Sequence, residues 1–247
     1  MISPKTHLVL MPAFNPGRLL PFACAEALSN WDTLWVVVDG STDDSHHHLL
    51  GISYSRPGLR LIVRPVNGGK GAAVLTGAKE ALAAGFTHAL VMDADGQHPA
   101  ECIRELMEAS MRSPGAVVCG RPVFGPEAPR VRLYGRRLSV WLVRLETLGR
   151  GAADPLFGFR VYPLGPLVRA LEGTRGARRF DFDPEMAVRL AWAGCPAVNL
   201  PVPCKYIARE RGGVSHFHYL RDNLRMVLMH ARILGALLTG RRTPARA

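Results

Sequence analysis

The feature that most constrains this chain is an alternation running through its first 120 residues. Residues 8–11, 34–38, 59–63, 89–92 and 116–119 are short, continuously apolar or β-rich runs, each closed by a turn signal. Between them, residues 18–28, 43–50, 71–84 and 99–111 carry helical spacing. Strands that alternate with helices cannot pair as hairpins. They assemble into a mostly parallel sheet with helices on both faces, which explains why the strands read as continuous apolar runs rather than as polar–apolar alternation. The expected fold class is therefore α/β, with one Rossmann-like, mostly parallel sheet.

The second half follows a different rhythm. Residues 131–148 predict a helix rich in arginine (Arg132, Arg136, Arg137, Arg144), and 149–158 a Gly/Ala/Asp/Pro loop. Residues 163–172 and 184–193 predict helices with Pro163 and Pro184 near their first turns, where a missing N–H costs nothing. A strand at 197–202, a basic loop at 203–215 and an amphipathic helix at 217–238 complete the chain. No repeat or linker divides it. The 247 residues are expected to form one domain, made of a nucleotide-binding half (1–121), an acceptor-side half (122–215) and a C-terminal amphipathic helix with a basic tail (216–247).

Composition narrows the partners. The five cysteines are scattered without a CxxC pair, which disfavours a disulfide framework or a zinc site and points to a reducing, cytoplasmic setting. The start of the chain lacks the pattern of a secretory signal, and the apolar stretch at 220–238 is interrupted by Arg221, Asp222, Arg225 and Arg232. The net charge of +11 fits nucleic acid, an anionic membrane surface or a phosphate-bearing substrate. The low aromatic content and the lack of a helix-turn-helix or RNA-recognition pattern leave no case for specific nucleic-acid binding.

The chemistry-bearing residues sit at the ends of the predicted strands. Val91-Met92-Asp93-Ala94-Asp95-Gly96-Gln97-His98 places two carboxylates one residue apart where an apolar run stops. Alternate residues point to one side, ligands of open α/β sheets bind at the carboxyl ends of strands, and a hard divalent cation relieves the repulsion of such a pair. Val38-Asp39-Gly40-Ser41-Thr42-Asp43 ends another strand in a carboxylate, suited either to a nucleoside or to capping its own turn. Asn67-Gly68-Gly69-Lys70-Gly71 precedes a helix, an arrangement that lets backbone and helix N-terminus approach an anion, although it is not a P-loop.

Together with Met11-Pro12-Ala13-Phe14-Asn15, these four segments strongly resemble, in order and spacing, the nucleotide-binding half of glycosyltransferase family 2, a GT-A fold. The resemblance continues through Asp154-Pro155-Leu156-Phe157-Gly158-Phe159-Arg160, Phe180-Asp181-Phe182-Asp183-Pro184-Glu185 and Ser215-His216-Phe217, and is nearest to the dolichyl- and polyprenyl-phosphate sugar transferases. It implies a metal-dependent, inverting transfer from a UDP- or GDP-sugar to a lipid-linked or otherwise hydrophobic acceptor. Asp39, Pro12, Phe14 and Asn15 would serve the nucleoside. Asp93, Asp95 and Gln97 would hold Mg²⁺ or Mn²⁺ and the diphosphate, and Lys70, Arg121 and Arg211 would meet phosphate or sugar. Two positions depart from the family pattern: Pro16 follows Asn15 where an acidic residue is usual, and Val38 replaces the first of two aspartates.

For a hydroxyl acceptor a general base is needed, with Asp183 the first candidate and Glu185 the second. A lipid phosphate arrives already anionic and needs arginines instead. The spacing of Phe217, Leu220, Leu224, Val227, Leu228, Ala231, Leu234 and Leu238 predicts a helix able to lie on an anionic membrane surface, on the cytoplasmic face. The alternatives are a nucleotidyltransferase, disfavoured by the single glycine in 11–17, and a transferase-like binding protein without catalysis, disfavoured by the intact Asp93/Asp95 pair.

Overall fold

The computed structural model describes residues 5–125, 130–204 and 218–240. Seven strands form one sheet in the order β3-β2-β1-β4-β6-β5-β7. They are β1 (His7–Ala13), β2 (Leu34–Asp39), β3 (Leu59–Arg64), β4 (His88–Val91), β5 (Val117–Phe124), β6 (Arg160–Pro163) and β7 (Ala197–Cys204). β1 pairs parallel with β2 and β4, β2 with β3, and β5 with β7, whereas β6 runs antiparallel between β4 and β5. Six strands therefore share one direction, and their carboxyl ends line one edge. The second half of the chain contributes β6 and β7 to the same sheet as the first.

The helices are α1 (Leu19–Asn30), α2 (His47–Ser55), α3 (Lys70–Ala83), α4 (Ile103–Arg112), α5 (Arg130–Glu146), α6 (Leu164–Glu172), α7 (Phe182–Trp192) and α8 (Tyr219–Leu238). Two apolar cores flank the sheet. One packs α1 and α4 against Val9, Met11, Val36 and Leu90. The other packs α3, α6 and α7 against Leu8, Leu10, Val37 and Val91. Residues 8–11 of β1 feed opposite cores in turn, as strand geometry requires, and this two-sided burial is why the central strands are apolar between their ends. Val38 belongs to the first core, so the departure from the family's acidic pair puts an apolar group where it packs.

β6 was not expected from the sequence. Arg160-Val161-Tyr162-Pro163 is four residues long and joins directly to α6, so it reads as the end of a loop and the head of a helix. Its register sets Arg160 opposite both Val91 and Cys119, at the edge where the parallel strands end.

Candidate active site

The site forms at that edge, and its first component is the glycine-rich loop. Asp39, the last residue of β2, accepts hydrogen bonds from the backbone N–H groups of Gly68 (3.1 Å) and Gly69 (2.6 Å), and pairs with Arg64 at the end of β3. Gly69 has φ +90°, a conformation that only glycine adopts without strain, and it opens α3. The other side of the loop rests on the segment before α7. There Arg178 accepts the Gly71 N–H through its carbonyl (3.0 Å), and Arg179 donates to the Asn67 side chain (2.9 Å). Asp181 holds that segment by accepting the N–H groups of Ala177 and Arg179, each at 2.9 Å.

Lys70 is thereby fixed at the head of α3. Its ammonium lies 2.8 Å from Asp93 Oδ1 and 2.8 Å from Asp183 Oδ2. Asp93 follows β4 and Asp183 stands in the first turn of α7, so one cation joins the two halves of the chain at the sheet edge. A Cβ on Gly158 would meet Lys70 Nζ and Asp183 Oδ1, so any larger residue in the loop before β6 would displace this ion pair. Asp183 Oδ1 is buried and has no hydrogen-bond partner among the described residues.

Electrostatics separate the carboxylates. Burial raises the proton affinity of Asp93, but Lys70 and His98 outweigh it and hold the carboxyl below its ordinary value. Asp95 is pushed the other way, by burial and then by the charge of Asp93. Lys70 is partly desolvated, yet Asp183 and Asp93 keep it firmly protonated. His98 accepts the Asp93 N–H on Nδ1 (3.0 Å), so its proton sits on Nε2, 3.8 Å from Asp93 Oδ2. Burial holds His98 below its usual range, and the rings of Phe157 and Phe159 pack against it at 4.9 and 5.0 Å. It therefore acts as a neutral post that orients Asp93.

Of the other sequence candidates, Gln97 follows Asp95 in the same turn, and its N–H donates to Asp95 Oδ1 (3.0 Å). Asn15, at φ +44°, ties the β1 and β2 ends together by accepting the N–H groups of Thr42 (2.7 Å) and Asp43 (3.3 Å). Asp43 accepts the Gly17 N–H (2.7 Å), so a carboxylate still closes this turn although Pro16 replaces the usual acid. Pro12 and Phe14 are half-buried at the end of β1, and Arg121 is exposed on β5. Arg211 and the loop 205–217 lie outside the described residues. Glu185 stands apart from Lys70. It is fully buried and accepts from Thr174 (2.8 Å), Arg189 (2.8 Å) and Arg232 (2.7 Å), so both its oxygens are occupied by the scaffold.

The sequence reading quoted Arg160 but assigned it no task. Its guanidinium is fully buried and donates to the Asp183 carbonyl (2.8 Å) and the Asp154 carbonyl (3.0 Å), pinning the head of α7 to the loop before β6. The signal was an arginine flanked by aromatic and apolar residues, a setting that a solvated arginine does not need. Among the described residues no group of three or more His, Cys, Asp or Glu forms a metal cage.

The carboxylates after β4, the glycine loop held by Asp39 and the Lys70 bridge thus stand together at the carboxyl edge of a sheet of the GT-A class. The chain belongs to glycosyl transferase family 2, whose profile matches residues 8–169, and it is a glycosyltransferase. It is 27% identical over 212 residues to an undecaprenyl-phosphate mannosyltransferase of Micrococcus luteus, covering 83% of this chain and 85% of that one. It is 27% identical to a dolichol-phosphate mannosyltransferase of Pyrococcus furiosus, covering 91% of this chain and 64% of that protein's length. The structure superposes on S. aureus TarS 1-349 in complex with UDP-GlcNAc with a TM-score of 0.56 at 14% identity, over 93% of this chain and 66% of that one, a likeness of fold.

Proposed function

We propose that the protein transfers a sugar, with inversion, from a nucleotide-diphosphate sugar to a lipid-linked phosphate at a bilayer, with a divalent cation on Asp93 and Asp95. The observation that carries this reading is the Lys70 bridge. It brings the donor-side carboxylate Asp93 and the acceptor-side carboxylate Asp183 within one ammonium's reach, so donor and acceptor would meet there.

The residues present fit a divalent cation. Asp93 and Asp95 stand one residue apart, and the proton affinity of Asp95 is raised by burial and then by the charge of Asp93, which a bound cation would offset. With only two protein carboxylates to offer, the site suits an ion that keeps waters and borrows phosphate oxygens, as Mg²⁺ or Mn²⁺ does, with Gln97 beside them. Bound there, the cation would supply Lewis-acid stabilisation of the departing diphosphate. Lys70 would donate to the same anion from the head of α3, where the helix dipole adds to its charge. Asp39 would act through the glycine loop it holds, with Pro12, Phe14 and Asn15 bordering the nucleoside, and with Arg121 and Arg211 on phosphate or sugar. The names of the relatives support a polyprenyl-phosphate acceptor, which arrives ionised and needs no strong base.

A second reading keeps a hydroxyl acceptor. The unpartnered Asp183 Oδ1 favours it, because a buried carboxylate oxygen is stable there once a hydroxyl donates to it. Under the first reading that hydroxyl belongs to the donor sugar.

The test is a thermal-shift screen against UDP- and GDP-sugars with Mg²⁺, Mn²⁺ or chelator. One donor class should stabilise the protein by roughly 2.7 kcal/mol at a hundred times its Kd, in the presence of metal, and Asp95→Ala should remove the metal-dependent part. A full shift in chelator would overturn the metal assignment. Silence with every donor would overturn the site.

A further inference from the structure

α5 and α8 carry outer faces that the site does not use. These helices contact each other and α7, joined by Val143, Ala187, Val188, Met229 and Ile233 and by the His230–Glu146 pair at 2.8 Å. Each also carries an apolar stripe that is exposed among the described residues. On α5 the stripe is Leu138, Trp141 and Leu145; on α8 it runs from Leu220 through Leu224 and Val227 to Leu238, with Leu220 and Leu238 85% and 86% exposed. At 3.6 residues per turn these positions fall opposite Val143 on α5 and opposite Met229 and Ile233 on α8. Both helices lie on α7 by their inner faces, so both stripes look outward from the same layer.

Charge selects the occupant. The only acidic residues in the two helices, Glu146 and Asp222, are fully buried, whereas Arg137, Arg144 and Arg221 are exposed. The outward face is therefore apolar and basic, with no carboxylate among its described residues. A second copy of this chain meeting it face to face would set arginine against arginine, the unfavourable arrangement for a two-fold interface. An anionic bilayer accepts both features, taking the apolar stripes below its headgroups and the arginines beside its phosphates.

We propose that the outward faces of α5 and α8 together form a docking surface for an anionic phospholipid bilayer, with Trp141 inserted at the interface. The arrangement adjoins the loop before β6, because Arg136 of α5 pairs with Asp154 and lies over the Phe124 ring. The proposal rests on the lipid-acceptor reading for its purpose, but its evidence is the two helix faces, and it is tested without turnover.

Trp141 is exposed, whereas Trp31 and Trp35 are buried and Trp192 is bound through its ring N–H to the Glu146 carbonyl. Tryptophan fluorescence therefore reads this face directly. The experiment titrates the protein with vesicles of phosphatidylcholine alone and of phosphatidylcholine with phosphatidylglycerol, and follows emission and co-sedimentation. The parent should bind the anionic vesicles at least about tenfold more tightly than the neutral ones, with a blue shift that Trp141→Phe removes. The double variant Trp141→Glu/Leu228→Glu should lose about tenfold or more in vesicle binding, with an unchanged melting temperature and an unchanged donor-induced shift.

Equal vesicle binding by that variant, or complete loss of parent binding in roughly 0.5 M salt, would mean that charge alone attracts the chain and would overturn the docking surface. A dimer in sedimentation velocity that the same substitutions dissolve would assign the face to a second copy instead. A vesicle result of either kind leaves the donor screen unaffected, so the two readings fail separately.

Discussion

At the scale of single residues the site is a problem in charge placement. Asp93 and Asp183 both pair with Lys70 and Asp95 lies one residue beyond Asp93's neighbour, and each keeps its form for a different reason: Asp93 is held ionised by Lys70, Asp95 is driven toward protonation by burial and by Asp93, and Asp183 has one oxygen paired and one without a partner among the described residues. This gives a sharp expectation for Asp183→Asn, which keeps the side-chain volume and removes the charge. With a lipid-phosphate acceptor, the turnover number should stay within about tenfold of the parent, because no proton has to be taken from the nucleophile. A loss of about 10²–10⁴ in single-turnover assays would instead assign proton removal to Asp183 and make the acceptor a hydroxyl. The carboxylate pair was visible in the sequence because both members stand beside a strand end. The Lys70–Asp183 contact spans 113 residues of sequence, and only the fold brings it about. Asp39 was visible as a strand-end carboxylate, but which of its two uses it follows depended on where the glycine loop lies.

At the scale of elements, five strands and their helices follow from the apolar runs and turn signals, because a strand buried on both faces leaves few alternatives. β6 escaped that logic. Its four residues contain a buried arginine and end in proline, so neither period nor composition marks it, and only pairing on both sides makes it a strand. α7 begins at Phe182, two residues ahead of Pro184, since Phe182 belongs to the core beneath the sheet. The amino ends of β1 and β4 hold a further testable feature. His7 and His88 are register partners whose rings stack at 4.4 Å, and burial, then the neighbouring His88, lower His7 to about 4. An unfolded histidine titrates near 6.5, so between that pH and about 4 the unfolded chain binds the extra proton. Stability should therefore fall as pH drops through this window, by roughly 3 kcal/mol from His7 alone. Urea melts at several pH values should be visibly flatter for His7→Asn. An equal slope in parent and variant would place the acid sensitivity elsewhere.

At the scale of the whole molecule, α8 is held by little apolar packing. α8 shares one small cluster with α5 and α7, and two polar links supplement it, His230 to Glu146 and Arg232 to Glu185. Glu185 is the centre of that fastening. It accepts from the loop before α7 through Thr174, from its own helix through Arg189 and from α8 through Arg232. The sequence marked it as an acid near a helix head, which fits a base and a fastening equally; full burial and three donors make it a fastening. Glu185→Gln should cost roughly 2–4 kcal/mol, below the range of a wholly buried pair because Arg232 is half exposed and water takes up part of its charge. The loss should be local. Native-state hydrogen exchange should show the α8 amides opening first while β1, β2 and β4 keep their protection, since local openings follow the elements with fewest buried contacts. The donor-induced thermal shift should survive, because Glu185 touches neither Lys70 nor the aspartates around it. A drop in protection spread evenly over sheet and helices would mean instead that α8 unfolds with the core as one cooperative unit, and that the surface it carries is as rigid as the site beside it.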